Sequence, residues 1–158
     1  MNKPTDFFTA EQVMKATGVS ERCLHYWDVT KVVSPRRPAD GSGIYRGYTR
    51  ADTVCLSVVK RMRDAGVSLQ RIRKHVPHIR RAVKQATDQG TVPLVLIQKG
   101  NPLILVRGPA EEAHAGAIID ALKGGQLVLA VDLEPIAQEV SGRLKKPRWR
   151  QRKRSSGT

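Results

Sequence analysis

Between Thr9 and Trp27 the sequence has room for two short helices and almost no slack between them, which fixes the front of the fold. Thr9 has a hydroxyl that can cap a helix, and Gln12 places an acceptor three residues on, as a capping box requires. Val13, Met14 and Ala16 supply a small apolar face, and Gly18 ends the helix. Ser20 is a good N-cap for a second helix, in which Leu24 and Trp27 recur at helical spacing. Two short helices joined by Thr17-Gly18-Val19 form a helix-turn-helix. The glycine allows the tight turn, the valine fills the wedge between helices, and Ser20 starts the second helix with its amide end outward.

Beyond Val33-Ser34-Pro35 the basic stretch Arg36-Arg37-Pro38-Ala39-Asp40-Gly41-Ser42-Gly43 cannot be helical, and Ile44, Arg46 and Tyr48 alternate like a short strand. Together they predict a β-hairpin wing. Thr49 to about Ala65 reads as a third helix with Val54, Leu56, Val58, Val59 and Met62 inward, stopped by Gly66. Ser68 caps a fourth, carrying Leu69, Ile72 and Val76, that Pro77 is expected to interrupt; Ile79 to Gln89 would be a fifth.

From Thr91 the pattern turns to β. Val92–Gln98 and Leu103–Arg107 flank the turn residues Lys99-Gly100-Asn101-Pro102, a hairpin. A helix over Ala110–Lys123, a strand over Leu127–Leu133 and a short helix over Pro135–Val140 complete a ββαβα series. From Arg143 onward no apolar period remains, and the Lys/Arg-rich end reads as disordered.

The chain carries 28 Lys and Arg against 14 Asp and Glu, a formal net charge of +14. Residues 1–90 hold 17 basic and 8 acidic side chains, residues 91–142 hold 3 and 6, and residues 143–158 hold 8 and none. A basic head and tail around a slightly acidic middle predict that only parts of the chain face a polyanion. Composition, at 40% hydrophobic and 27% charged, is that of a soluble globular protein. No apolar run approaches the roughly 20 residues of a membrane-spanning helix, and the N-terminus lacks a signal peptide's apolar core, so a cytoplasmic, nucleoid-associated protein without membrane contact is expected. Cys23 and Cys55 read as packing residues rather than a disulfide or metal pair.

Ordered pieces of the first half resemble the N-terminal domain of the MerR family, from about Phe8 to Val76. They are Phe8–Val13, Thr17–Asp28, Val33–Arg36, Arg46–Asp52 and Met62–Ile72. The resemblance implies a winged helix-turn-helix that binds double-stranded DNA at promoters as a homodimer, with RNA polymerase as a further candidate partner. The DNA-contacting set it implies is Ser20, Arg22, His25, Tyr26, Arg36, Arg37, Arg46, Tyr48, Arg63 and Ser68. A helix beginning at Ser20 fits the major groove with Arg22 and His25 outward, Tyr26 can donate to a phosphate, the wing arginines reach the minor groove or backbone, and Ser68 opens a helix whose amides suit a phosphate. Leu24, Trp27, Val33 and Val67 read as core. Cys23, His25 and Trp27 stand where the family commonly has Thr, Arg and Tyr, so the family's DNA code does not carry over.

The expected architecture is α+β: a winged helix-turn-helix over 1–76, a connecting helix over 77–90, a ββαβα dimerisation or effector module over 91–142, and a disordered basic tail over 143–158. No catalytic motif, metal set or cofactor motif is found, so an enzyme is not expected. His75 with His78, and Glu111 with His114, have helical spacing but lack further ligands, and solvated side chains are the better reading. Two rivals remain: an architectural or recombination-associated DNA binder with the same headpiece, and an RNA-binding protein suggested by charge alone.

Overall fold

The computed structural model describes residues 5–36, 46–89, 94–98, 103–106, 120, 122–125, 128–144, 146–147 and 149–151. In chain order they form β1 (Thr5–Phe7), α1 (Ala10–Thr17), α2 (Glu21–Val29), α3 (Arg50–Asp64), α4 (Leu69–Gln89), β2 (Leu94–Gln98), β3 (Leu103–Val106), β4 (Val128–Asp132), α5 (Leu133–Arg143) and β5 (Trp149–Gln151). Among these residues no helix is long and apolar enough to cross a membrane.

Local chemistry sets the helix starts. Thr9 and Gln12 form a reciprocal capping box, with the Gln12 N–H donating to Thr9 Oγ1 at 3.2 Å and the Thr9 N–H to Gln12 Oε1 at 2.9 Å. Thr49 and Asp52 repeat the arrangement at α3. Gly18 ends α1 at φ 74°, a conformation that costs a glycine little.

The core gathers around α3, where every residue from Asp52 to Val59 is buried. A helix buried on all sides needs neighbours on all sides. Val13 and Ala16 come from α1, Leu24 and Trp27 from α2, Ile72, Val76, Ile79 and Val83 from α4, and Leu133, Ile136 and Val140 from α5. The inward assignment of Leu24, Trp27 and Val33 holds, at 2%, 5% and 1% exposure, and Val67 packs against the same cluster.

Three expectations need correction. Pro77 does not interrupt the fourth helix: α4 runs unbroken through it for 21 residues, so no separate connecting helix starts at residue 77. An internal proline costs about 3 kcal/mol, but Ile72, Val76, Ile79 and Val83 lie along one face and each contributes about 1.5–3 kcal/mol when buried. Pro77 itself is exposed, on the side where a lost backbone bond can be replaced by water.

Secondly, the chain after residue 142 is not uniformly without structure. Arg143 ends α5, Leu144 is buried, and β5 pairs antiparallel with β1, Phe7 opposite Trp149. The Gln12 side-chain amide also donates to the Lys146 carbonyl at 2.8 Å. A three-residue strand needs only a partner edge, which periodicity in its own sequence does not reveal.

Thirdly, the last helix is longer than expected and packs on the headpiece, against α3 and α1, rather than within a separate C-terminal unit. Strand β2 lies between β3 and β4, antiparallel to both, with Val95 opposite Leu105 and Val131. The helix expected over Ala110–Lys123 falls largely outside the described residues, as do wing residues 37–45.

Candidate nucleic-acid interface

The Ser20 hydroxyl accepts the Cys23 N–H at 3.2 Å, so α2 begins where the sequence places it. With 3.6 residues per turn, anchoring Leu24 and Trp27 inward decides what faces out. Arg22, His25, Tyr26 and Val29 follow one another at i, i+3, i+4 and i+7, and all four are exposed, Tyr26 at 55% and Val29 at 62%. Trp27 also holds the exit from the helix, its carbonyl accepting the Val32 N–H at 2.8 Å while Lys31 takes a φ of 59°. That turn sends Val32 and Val33 into the core and leaves the outward strip clear.

Arg46, at the root of the expected wing, reaches back across α2. One guanidinium nitrogen is 3.3 Å from His25 Nδ1, and Nε is 3.8 Å from Asp28 Oδ2. His25 and Asp28 are three residues apart on one helix, so both face the same side chain. Tyr48 behaves otherwise than expected. It is fully buried, its backbone bridges to Phe8, and its ring is core, which removes it from any surface contact. Burial pushes its phenol above the ordinary value of 10.0, with the Arg46 guanidinium opposing.

The remaining candidates fall into separate places. Arg36 is exposed, and Arg37 lies outside the described residues. Arg63 is exposed but donates to the Val67 carbonyl at 3.1 Å, bracing the turn into Ser68. Ser68 is exposed and its Oγ accepts the Arg71 N–H at 3.3 Å, so it caps α4 as expected. Thus His25 and Arg46 are brought together, while Arg63 and Ser68 form a second group at the α3–α4 turn.

Sequence reasoning missed Asp28 and Val29, although Val29 follows Arg22 by the same i+7 rule that made the strip. It also missed Arg80, which lies 3.4 Å from the buried Asp52 carboxylate and donates to the Ser34 carbonyl at 3.0 Å. That contact ties the segment after α2 to α3 and α4, and nothing local in the sequence signals it.

Among the described residues no group of three or more His, Cys, Asp or Glu is placed to hold a metal ion. Both cysteines are free thiols; burial pushes the Cys55 thiol up to about 12, while Cys23 is half-buried. His75 is held below the usual histidine value by burial first, then by His78, Lys74 and Arg71.

Residues 8–79 match the family model described as MerR HTH family regulatory protein. Over 126 residues the chain is 34% identical to an uncharacterized HTH-type transcriptional regulator of Mycobacterium bovis, and equally to two proteins of the same description from Mycobacterium tuberculosis. The alignments take in 79% of this chain and 52% of each relative, so the chain spans about half the length of the curated relatives it matches. The aligned stretch also exceeds the family segment, so the likeness continues beyond residue 79. A capped helix-turn-helix with an outward polar strip is thus what residues 8–79 share with the MerR HTH family model and with these HTH-type relatives.

Proposed function

We propose that the chain is a sequence-specific DNA-binding transcription regulator, acting at promoter DNA as a homodimer in the cytoplasm and nucleoid. The observation that carries this reading is the α2 strip. Arg22, His25 and Tyr26 are exposed on one face of a short, N-capped helix whose other face is locked into the core by Leu24 and Trp27. A single helix of this kind fits the major groove, and its cationic and aromatic side chains suit base edges and phosphates. Relatives named as HTH-type transcriptional regulators support the class of function.

In this reading residues 36–48 form the wing, with Arg36 and Arg37 on the neighbouring backbone or minor groove. Ser68 and Arg63 serve a phosphate at the α3–α4 turn. The ββαβα series over 91–142 supplies the dimer contact or effector element, and RNA polymerase is the further partner. The basic end of the chain, residues 143–158, adds non-specific affinity that falls steeply with salt.

The test is selection of duplexes from a randomised pool by the full chain, followed by gel-shift titration of the selected site. Each good base contact is worth about 1–3 kcal/mol, so Arg22→Ala combined with His25→Ala should weaken that site by roughly 30-fold or more while non-specific binding stays. Unchanged retention of the selected site by the double variant refutes the reading. Protection of long continuous tracts, rather than one short dyad, favours the architectural rival instead.

A further inference from the structure

We infer that Arg46 is a positioning residue that fixes His25 as a hydrogen-bond donor through Nε2, so that His25 reads guanine in the major groove. The inference rests on the DNA-binding reading above. It changes the role of Arg46 from backbone contact to orienter and gives His25 a definite chemical preference.

The starting point is the 3.3 Å approach of the Arg46 guanidinium to His25 Nδ1. A guanidinium has donors and no acceptor, so the contact is a hydrogen bond only if Nδ1 carries a lone pair. A neutral imidazole with an accepting Nδ1 carries its proton on Nε2. Asp28 keeps the arginine in place, with its carboxylate 3.8 Å from Arg46 Nε, and both side chains are largely covered, at 31% and 20% exposure. The guanidinium is therefore held by two groups on α2 and aimed at one ring nitrogen. His25 is exposed on the strip that also carries Arg22, and its free Nε2–H is the atom left to meet a ligand.

One donor at that position discriminates among base edges. Guanine offers two acceptors, N7 and O6, side by side. Adenine offers one beside an amino donor, thymine one beside a methyl group, and cytosine only a donor. A fixed Nε2–H therefore suits guanine best and cytosine worst. Were the ring free to exchange tautomers, it could present a lone pair to cytosine or adenine and the discrimination would be lost.

The experiment has two arms on the full chain at pH 8, above the ordinary histidine range. In the first, ¹⁵N-labelled histidine is observed by long-range ¹H–¹⁵N correlation in the free protein, with His25→Gln used for assignment. His25 should show the Nε2–H pattern, and Arg46→Met should convert it to a mixture of tautomers. In the second, the selected site should contain a guanine whose preference disappears in His25→Ala. In Arg46→Met that preference should fall by about five- to tenfold, with other positions unchanged, and Arg46→Lys should restore part of it. Thermal melting checks folding; if Arg46→Met melts early, Asp28→Asn loosens the same guanidinium in its place.

An Nδ1–H pattern in the free chain, or a His25-dependent cytosine, overturns this inference alone. So does Arg46→Met weakening all sequences evenly, the mark of a phosphate contact. Failure of the unmodified chain to select any duplex overturns the regulator reading and this inference with it.

Discussion

Replacing Ile136 by alanine tests whether the last helix belongs to the headpiece. Ile136 is 2% exposed in α5, within the same apolar cluster as Val13 and Met62, and α5 lies against α3 and α1. The Arg61–Glu139 ion pair across that contact, at 2.6 Å, is half-exposed on the arginine side and adds little, so the attachment is mainly apolar. Truncating a fully buried isoleucine costs about 2–5 kcal/mol, the lost transfer energy plus the cavity left behind. Taking about 3 kcal/mol, and about 2–4 °C of melting temperature per kcal/mol for a chain of this size, the midpoint should fall by about 6–12 °C. The assay is fluorescence-detected melting in a Trp149→Phe background, where Trp27, on the buried face of α2, is the remaining reporter. If the Trp27 transition stays within about 1 °C of its original midpoint while circular dichroism shows a second transition moving, the headpiece melts independently of α5 and the reasoning is wrong.

Three further outcomes follow from the same packing. With its thiol pushed up to about 12, Cys55 should be on the order of 10⁻⁴ thiolate at pH 8, so a thiol reagent should titrate Cys23 alone in the native chain and both cysteines in guanidinium; prompt reaction of two native thiols contradicts the burial. His75 is held below 6.5 when folded, so the unfolded chain takes up that proton first: its contribution is fully present above about pH 6.5 and declines as pH falls through the window beneath. His75→Gln should therefore lose less melting temperature than the unmodified chain between pH 7.5 and 5.5, and equal losses would remove the assignment. Val29 is 62% exposed, so Val29→Ser should change stability by less than about 0.5 kcal/mol, yet weaken the selected site as much as replacing a contacted thymine by deoxyuridine does; an effect of only one of the two changes would deny a methyl contact.

What the sequence revealed and what it hid divide along the range of the interactions. Thr9, Gly18, Ser20 and Thr49 act on backbone groups within four residues, and those helix boundaries were legible. The inward set on α2 was legible too, because periodicity reports a face once one helix is assumed. Pro77 misled because a local penalty was weighed without the long apolar face that outweighs it. Tyr48 misled because an alternating pattern at the wing root does not say which parity points inward. Arg46 and His25 are 21 residues apart, Gln12 and Lys146 are 134 apart, and no local rule pairs either couple. For the same reason nothing local signalled that α5 adds its leucine, isoleucine and valine to the core that begins at Phe8.

That shared core has a consequence for the unit that folds. The family segment ends at residue 79, near the middle of α4, yet Ile79, Ala82 and Val83 at and beyond that point are buried in the same cluster as Phe8 and Val13. With α5 and Leu144 added, the continuous core reaches from Phe8 to Leu144. A fragment cut after residue 79 would uncover the side of α3 that α5 packs against and would also lose the strand that pairs with β1. The likeness to the mycobacterial relatives runs over 126 residues, well past the family segment, so it extends beyond the helix-turn-helix into residues that help complete this core. The orientation of α2 then depends on side chains far downstream in the sequence. α1 lies against α2, and α3 and α5 both lie against α1 and against each other, so weakening α5 should loosen the presentation of Arg22 and His25 without touching either residue.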